Sequence, residues 1–393
     1  MEVFGITGTN GKTTTSYMTD HILGELGIKS ALVGTISHRI GENVYEAVNT
    51  TPGRDLFERY TAEAKRQGIE VIVTEVSSHA LVQGRLEGLP VRYAAYTNLS
   101  RDHLDYHGDM ENYYLAKRKL FDFKTLLSAI INIDDEYGRR LYKELAEGDF
   151  LRPVGISLLE NADYRAEIID ESLDGTEFRV VSEKYGERTF YITQPGRHNV
   201  YDALISAALI SERFGENGFE GACDALRSFK GAPGRFEVIK GSDSGITAVC
   251  DYAHTPDALM KLLSSVNELR RRNKSREGHV ITVFGAGGDR DKGKRPLMGK
   301  VAGKLSDIVI LTSDNPRTEN PDDIISDIAD GLREETNMYI TDPDRRSAII
   351  RAVSIAKRGD IIVVAGKGHE TYQITASGRK HFDDREILKE LLT

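Results

Sequence analysis

Short apolar runs alternate with stretches of helical spacing along the first part of the chain. Residues 3–7 form an apolar run that ends in a glycine-rich turn, and residues 13–26 then carry apolar positions at helical spacing. The apolar runs at 69–76 and 93–98 predict further strands, and the spacing over 111–121 predicts a helix. Strands that alternate with helices indicate a parallel sheet covered on both faces.

The pattern changes between residues 155 and 193. Short β-rich runs are separated there by Asp-Gly and Tyr-Gly-Glu turn signals, which predicts a small antiparallel insertion or an edge sheet. Helical spacing returns over 199–213 and 221–229.

A linker is predicted at Lys230-Gly-Ala-Pro-Gly234, because this segment is rich in glycine and proline and follows a predicted helix. A second alternation follows, and its apolar runs predict strands at 248–252, 280–284, 308–312 and 361–364. Each half has its own candidate core. We therefore expect an α/β protein of two domains: residues 1–234, with a P-loop, a parallel sheet and a small antiparallel insertion, and residues 235–393, a Rossmann-like α/β domain.

The composition of the chain argues against several classes of protein. The chain has 52 basic and 61 acidic residues and a net charge of −9, which argues against a nucleic-acid-binding protein. The basic stretch at 270–278 is interpreted as a solvated helix end and loop. Cys223 and Cys250 are interpreted as packed thiols, because two cysteines are too few for a disulfide framework. The chain lacks a signal-peptide pattern and a long apolar run, so we expect a cytoplasmic protein without a membrane span.

A phosphate-binding loop is predicted at Gly8-Thr-Asn-Gly11-Lys12-Thr13, between a strand and a helix. The helix N-terminus offers N–H groups and a positive dipole end to phosphate oxygens. Lys12 would neutralise phosphate charge, and the Thr13 hydroxyl would bind Mg²⁺. Ile6 stands where the common P-loop pattern has its first glycine. The loop predicts ATP or GTP binding without identifying the base.

The same loop matches the ATP-binding signature of the Mur ligases, and further motifs follow in that family's order. They are Asn49-Thr-Thr-Pro52, Glu75-Val-Ser-Ser-His-Ala-Leu-Val-Gln83, Asn98-Leu-Ser-Arg-Asp-His-Leu-Asp-Tyr-His-Gly108, Tyr114-Leu-Ala-Lys117, Pro233-Gly-Arg-Phe-Glu237, Asp251-Tyr-Ala-His-Thr-Pro-Asp257, Gly285-Ala-Gly-Gly-Asp-Arg-Asp-Lys-Gly-Lys-Arg-Pro296, Asp314-Asn-Pro-Arg317 and Gly366-Lys-Gly-His-Glu-Thr-Tyr-Gln373. Together these motifs resemble the MurE group of the family, the UDP-N-acetylmuramoyl-tripeptide synthetases.

One departure from the family concerns the uridine end of the substrate. MurE-type members carry a uridine-binding domain ahead of the P-loop, whereas the loop begins here at residue 5. We therefore expect that domain to be absent. The uridine would then face solvent, or a separate polypeptide or a neighbouring subunit would hold it.

The resemblance implies the residues that bind ATP and metal. The ATP-binding set is Gly8, Thr9, Asn10, Gly11, Lys12, Thr13, Thr14, Asn199, Arg235, Asp251 and Tyr252. The catalytic set is Lys12, Glu75, His103 and Lys117. Two Mg²⁺ ions are implied, with Thr13 and Glu75 at one and His103 at the other, and Lys117 is implied to be carbamylated and to act as a metal ligand.

Plainer interpretations of four of these residues remain open. Glu75 could be a strand-end carboxylate that caps a helix, and Asn199 could cap the helix near residue 199. Lys117 could be a surface lysine of its helix. Tyr252 could be a core residue. The family pattern also has a second asparagine three residues after Asn199, where this chain has Asp202.

The resemblance also implies the substrates. The acceptor-binding set is Thr50, Thr51, Ser77, Gln83 and Arg85. The amino-acid-binding set is Arg290, Asn315, Arg317, Gly366 and Glu370. The Asp-Asn-Pro-Arg motif resembles the version that accepts meso-diaminopimelate, which differs from lysine by one carboxylate that the Arg317 guanidinium would pair with.

The function implied is an ATP-dependent ligase that adds diaminopimelate to UDP-N-acetylmuramoyl-dipeptide, through an acyl phosphate, in peptidoglycan synthesis. All substrates are small molecules. Two alternatives stay open: a related ligase for another acceptor, of the archaeal pseudomurein or cyanophycin-synthetase kind, and a nucleotide-binding relative that has lost catalysis.

Overall fold

The computed structural model describes residues 1–148, 150–241, 244–272, 278–336 and 338–393. Positions 273–277 of the basic stretch, predicted to be a solvated loop, lie outside the described residues. The described chain divides into two compact units, Met1–Ala232 and Pro233–Thr393. They are called unit 1 and unit 2 below, and each is described by itself. The boundary predicted after Gly234 falls close to this division.

Unit 1 is built on one mixed sheet. Its strands in chain order are β1 Glu2–Thr7, β2 Ser30–Val33, β3 Ser37–Ile40, β4 Asn43–Glu46, β5 Val71–Glu75, β6 Val91–Tyr96, β7 Ser128–Asn132, β8 Val154–Ser157, β9 Tyr164–Ser172, β10 Gly175–Ser182 and β11 Gly186–Ile192. Its helices are α1 Lys12–Glu25, α2 Arg54–Arg66, α3 Ser78–Val82, α4 Leu104–His107, α5 Met110–Arg118, α6 Glu136–Ala146, α7 Arg197–Phe214 and α8 Glu216–Leu226, with a 3₁₀ turn at Lys119–Asp122.

The strand order in this sheet is β11-β10-β9-β8-β7-β6-β1-β5-β2-β3-β4. The strands from β9 through the centre to β2 pair in parallel, whereas β10 and β11 at one end and β3 and β4 at the other pair antiparallel. The antiparallel segment predicted at 155–193 is therefore an edge of the main sheet. The hairpin of β3 and β4 was not predicted, because each strand has only four residues and β4 is mostly exposed.

Alternation along β1 divides unit 1 into two cores. Phe4 and Ile6 pack with α1 and α7 on one face, and Val3 packs with α2 and α5 on the other, all fully buried. Strand β1 lies between β5 and β6, with Ile6 opposite Glu75 and Thr7 opposite Tyr96. The carboxyl ends of three parallel strands thus meet at one edge, where open α/β sheets bind their ligands.

Unit 2 is a second α/β sandwich. Its strands are β12 Glu237–Lys240, β13 Thr247–Asp251, β14 Val280–Phe284, β15 Ile308–Leu311, β16 Tyr339–Thr341, β17 Ile361–Ala365, β18 Tyr372–Thr375 and β19 Gly378–His381. Its helices are α9 Pro256–Arg272, α10 Lys294–Leu305, α11 Pro321–Leu332, α12 Arg345–Ile355 and α13 Asp384–Leu392. The main sheet has the order β12-β13-β17-β14-β15-β16, and β18 and β19 form a separate hairpin.

A buried ion pair ties α12 to α13 beneath two strand ends of unit 2. Arg345 and Asp384 are both fully buried and are bonded at 2.7 and 2.8 Å. The same guanidinium donates to the carbonyls of Ser313, at 3.3 Å, and Ala365, at 3.0 Å. One side chain therefore fixes the points at which the chain leaves β15 and β17.

The predicted fold class is confirmed: both units are α/β, and the antiparallel segment belongs to unit 1. In the described part of the chain, no helix combines the length and the apolar character needed to cross a bilayer.

Candidate functional site

The loop between β1 and α1 lies tightly against the end of β6, which explains its glycines. Gly8 has a φ of +150°, and a Cβ there would lie 1.8 Å from Thr97 Oγ1. Gly11 has a φ of +86°, and its Cβ would lie 2.4 Å from Asp202 Oδ1. Both positions therefore exclude any other residue.

Polar side chains after β6 hold the middle of this loop. Thr97 Oγ1 donates to the Asn10 carbonyl at 2.6 Å, and the Asn10 amide donates to Asn98 Oδ1 at 3.0 Å. The loop backbone is thus held in place at the N-terminus of α1, as phosphate binding requires.

Two lysines converge on one carbonyl of this loop. Lys12 Nζ donates to Gly8 O at 2.9 Å, and Lys117 Nζ, from α5, donates to the same oxygen at 2.8 Å. Lys117 is only 1% exposed, so the surface-lysine interpretation is wrong. Burial, and then the charge of Lys12, holds the pKa of Lys117 well below its ordinary value. Both side chains therefore reach the loop where phosphates would bind.

Glu75 is the last residue of β5, and its buried carboxylate accepts three hydrogen bonds. Thr13 Oγ1 donates to Oε2 at 2.9 Å, Thr35 Oγ1 donates to Oε2 at 2.9 Å, and the Thr35 amide donates to Oε1 at 2.8 Å. The helix that follows is capped by Ser77, whose Oγ accepts from the Ala80 amide. The interpretation of Glu75 as a helix cap is therefore wrong, and its carboxylate lies beside the Thr13 hydroxyl of the phosphate loop.

His103 lies in an aromatic cluster beside Lys117. It has a φ of +53°, and its ring centroid is 5.1 Å from that of His79 and 6.2 Å from that of Tyr113. Lys117 Nζ lies 4.6 Å from the centroid of the same tyrosine ring, whose hydroxyl is 3.2 Å from Thr9 Oγ1. Tyr113 therefore has His103, Lys117 and the phosphate loop as neighbours.

The structure brings the predicted metal ligands together in part. Thr13 meets Glu75 directly, and Lys117 meets the loop backbone, whereas His103 is linked to Lys117 only through Tyr113. Among the described residues, no three His, Cys, Asp or Glu side chains form a metal-binding group.

The five predicted acceptor residues lie together next to Glu75. Thr51 Oγ1 donates to the Glu75 carbonyl at 2.8 Å and accepts from the Ser77 amide at 3.0 Å. Arg85 donates to the Thr51 carbonyl at 2.6 Å and to Gln83 Oε1 at 2.7 and 2.9 Å. Thr50 completes the set, because its hydroxyl is 3.2 Å from that of Thr35. Residues from two separate motifs, together with Arg85 just after the second, thus form one polar surface.

Asn199 is the third residue of α7, and the N-cap position belongs to Gly196. Its Nδ2 donates to the Pro195 carbonyl at 2.7 Å, and the side chain is buried. The helix-cap interpretation is therefore wrong. One turn further, Asp202 accepts from Thr15 Oγ1 at 3.1 Å and packs under Gly11.

The predicted ATP residues of unit 2 cluster at the end of β13. The guanidinium of Arg235 lies 4.5 Å from the centroid of the Tyr252 ring. Asp251 accepts from the amides of Phe236 at 2.7 Å and Ala253 at 2.8 Å. Burial raises the pKa of Asp251. Tyr252 is partly exposed and contacts the His369 ring at 5.0 Å, so the core interpretation of Tyr252 is wrong.

The predicted amino-acid residues of unit 2 lie at the ends of β15 and β17. Asn315 Nδ2 donates to Glu370 Oε2 at 2.9 Å. Arg317, at a φ of +53°, donates to the Gly288 carbonyl at 2.7 Å. Gly366 has a φ of +115°, and a Cβ there would lie 2.5 Å from Asp314 Oδ2. Arg290 is exposed and lies near Arg317 across Gly287.

Several residues of the site were not predicted. Thr35 binds Glu75 but stands in no motif, so no sequence signal marks it. Tyr113 lies one residue before a recognised motif. Lys367 and Asp314 stand inside motifs, but residue type alone gave them no role. Lys367 is fully buried and donates to Asn315 Oδ1 at 3.0 Å.

Comparison with known proteins gives two family matches. The model of the Mur ligase middle domain matches residues 6–210, and that of the Mur ligase glutamate ligase domain matches residues 234–368.

Two curated relatives and one solved structure match nearly the whole chain. A UDP-N-acetylmuramoyl-L-alanyl-D-glutamate–2,6-diaminopimelate ligase of Fusobacterium nucleatum is 43% identical, with 99% of this chain and 77% of that protein covered. The corresponding ligase 1 of Clostridium acetobutylicum is 42% identical, with 100% and 78% covered. A solved structure of a ligase of the same name has a TM-score of 0.70 at 37% identity and covers 100% of this chain and 78% of its own.

The contact of Gly11 with Asp202 predicts that Gly11→Ala weakens nucleotide binding. Because the new methyl group would meet the Asp202 carboxylate at a positive φ, we expect the affinity for a non-hydrolysable ATP analogue to fall by roughly tenfold or more. Isothermal titration calorimetry measures this affinity. The control is Gly24→Ala in α1, where a Cβ would meet no atom within 4 Å. Equal affinity in both variants would contradict the prediction.

The raised pKa of Asp202 predicts that the stability of the folded chain depends on pH. Burial raises the pKa of this carboxyl to about 8 in the folded chain, against about 3.9 when unfolded. Between these values only the folded chain holds the proton, so stability should fall with rising pH by up to about 1.4 kcal/mol per unit. The loss should end above the folded pKa of about 8.

Denaturant titrations at several pH values on either side of the folded pKa measure this effect. Asp202→Asn carries no such proton, so its stability relative to the wild type should rise with pH and then level off. Asp170→Asn, on the exposed part of β9, is the control and should follow the wild type. A wild type and an Asp202→Asn variant with parallel profiles would refute the assignment.

Proposed function

The chain belongs to the Mur ligase family, and on that premise we propose that it is an ATP-dependent ligase that joins 2,6-diaminopimelate to UDP-N-acetylmuramoyl-L-alanyl-D-glutamate. The observation that carries the proposal is the convergence of Lys12 and Lys117 on the Gly8 carbonyl, beside the Glu75 carboxylate. This arrangement suits the activation of a carboxylate by ATP. The names of the whole-chain relatives supply the substrates.

The reaction must bring two anions together. A carboxylate oxygen of the acceptor attacks the γ-phosphorus of ATP, and the bond to the β-phosphate oxygen breaks to release ADP. The amine of the amino acid then attacks the acyl phosphate, and phosphate leaves. Lys12 would offset the charge on the transferred phosphoryl group, while the amides at the N-terminus of α1 bind phosphate oxygens.

The residues present fit a magnesium ion. The Thr13 hydroxyl and the Glu75 carboxylate are hard oxygen ligands only 2.9 Å apart. Bound Mg²⁺ would neutralise phosphate charge during the transfer. A second ion at His103 would need a further oxygen ligand, and a carbamate on Lys117 would supply one. Carbamylation requires a neutral amine, which the depressed pKa of Lys117 favours.

The polar surface around Thr51 is proposed to bind the acceptor. Thr50, Ser77, Gln83 and Arg85 offer hydroxyls, an amide and a guanidinium, which suit a sugar carrying phosphates. Asn199 in unit 1 is proposed to bind the nucleotide, and Arg235, Asp251 and Tyr252 remain nucleotide-binding candidates of unit 2. Because ATP and nucleotide sugars are cytoplasmic metabolites, we place the reaction in the cytoplasm.

The pocket around Asn315 is proposed to bind diaminopimelate. Arg317 and Arg290 would face its extra carboxylate, and Glu370 its ammonium, with Gly366 leaving room for the ligand. We propose that residues 1–234 form the ATP-binding domain and that residues 235–393 form the amino-acid-binding domain.

Mass spectrometry of reaction products tests the function. With ATP and the dipeptide acceptor, the enzyme should release ADP and phosphate and add one diaminopimelate in preference to lysine. Arg317→Ala should lower turnover of diaminopimelate by roughly tenfold or more, because a charge-assisted contact is lost, and should leave the KM for ATP nearly unchanged. The control is Arg333→Ala, an exposed arginine of the same unit. A preference for lysine, or ADP release without a coupled product, would contradict the proposal.

Lys117 is predicted to be essential through its carbamate. Lys117→Ala should fold and bind ATP but lose at least about a hundredfold in turnover, because the carbamate proposed to bind the second Mg²⁺ is lost. Short carboxylic acids should restore part of the activity. Lys119→Ala removes an exposed lysine two residues on and should behave as the wild type. An active Lys117→Ala enzyme, or no rescue by any carboxylic acid, would rule out the carbamate.

A further inference from the structure

Lys367 is a fully buried lysine in the middle of the proposed amino-acid pocket. Its Nζ donates to Asn315 Oδ1 at 3.0 Å and to Glu370 Oε2 at 3.1 Å, and it lies 3.9 Å from Asp314 Oδ1. The side chain is 0% exposed. A buried ammonium is costly unless it is paired and hydrogen-bonded, and two carboxylates and an amide surround this one.

The groups that surround this ammonium are themselves fixed. Asn315 Oδ1 also accepts from the Ile374 amide at 2.9 Å, which ties it to β18. Gln373 donates to the Asp314 carbonyl at 2.8 Å. Because Asn315 is bonded to both Lys367 and Glu370, the three side chains form a closed triangle of hydrogen bonds. Removing Lys367 would leave Asn315 and Glu370 bonded to each other but without the ammonium that holds both.

Resting on the function proposed above, we propose that Lys367 is a specificity-determining positioning residue of the amino-acid pocket. Its ammonium orients Glu370 and Asn315 and offsets one of the two pocket carboxylates. The pocket then favours an amino acid whose distal end carries both an ammonium and a carboxylate over one that ends in an ammonium alone.

The charges in the pocket determine which amino acid the loss of Lys367 would favour. The distal end of diaminopimelate is a zwitterion, whereas the distal end of lysine is a cation. With Lys367 in place, the pocket offers the carboxylates of Asp314 and Glu370 against the cations of Lys367, Arg317 and the exposed Arg290. Without Lys367, the pocket is one charge more negative, which favours the cationic end of lysine over the zwitterionic end. A role in folding alone would lower the use of both amino acids equally.

Steady-state kinetics of Lys367→Met and Lys367→Gln, with diaminopimelate and with lysine, test the inference. The first variant removes charge and hydrogen bonds from a chain of similar length, and the second keeps a donor without the charge. The exposed, ion-paired Lys300 of α10 provides the matched control, Lys300→Met. The melting temperature and the KM for ATP are measured for each variant.

We expect kcat/KM for diaminopimelate to fall by roughly tenfold or more in Lys367→Met, and its ratio to that for lysine to fall by about fivefold or more. Lys367→Gln should shift the ratio in the same direction with a smaller loss of turnover. Lys300→Met should match the wild type, and the KM for ATP should change little in all three. The wild-type enzyme tests the proposed function separately. If it does not use diaminopimelate, the proposed function is wrong, whatever the Lys367 variants show.

Three outcomes would overturn the inference. Equal losses for both amino acids would mean that Lys367 is only structural. Unchanged kinetics would mean that the pocket lies elsewhere. Failure of both variants to fold would assign Lys367 to stability rather than to specificity.

Discussion

The carbonyl oxygen of Gly8 accepts hydrogen bonds from two lysine side chains, and much of unit 1 is arranged around that point. Lys117 is carried there by α5 and is buried, and Lys12 begins α1. Two ammonium groups this close would repel each other, and burial together with the charge of Lys12 holds the pKa of Lys117 well below its ordinary value. The site thus combines the positive charge of Lys12 with an amine that favours the neutral form, which the proposed carbamylation needs.

The same constraint explains the glycines and the acid beneath the loop. The loop must approach β6 and α7 closely, and any side chain at Gly8 or Gly11 would collide with Thr97 or Asp202. The loop backbone is therefore supported from both sides by polar groups. Asp202, kept protonated near neutral pH by burial, adds no negative charge below the phosphates. A charged carboxylate there would oppose the anion that the loop is built to hold.

Unit 2 also brings charged side chains close together, in a different arrangement. Its pocket carboxylates, Asp314 and Glu370, surround a buried lysine, so that their negative charge is partly offset before any ligand arrives. Below them, Arg345 holds the ends of β15 and β17 through a second buried pair with Asp384. Both units thus place charged groups at strand ends and fix them from beneath with buried hydrogen bonds.

The sequence by itself determined the α/β class, the phosphate loop and the family resemblance. Each of these depends on local patterns: apolar periodicity, glycines between a strand and a helix, and short motifs in a given order. The antiparallel segment was also visible, because turn residues separate its runs. The hairpin of β3 and β4 was not predicted, since each strand has only four residues and β4 is mostly exposed.

Only the tertiary structure decided which polar residues meet. Whether Lys117 is a surface lysine or a buried one depends on how α5 packs against the phosphate loop, and helical spacing gives no information on that contact. The partners of Glu75 come from Thr13 and Thr35, which are 62 and 40 residues away in the chain. Lys367 stood in a recognised motif, but its role depends on Asn315 and Glu370 reaching it in space. Burial and pairing of charges arise from contacts distant in sequence, and these form only when the sheets assemble.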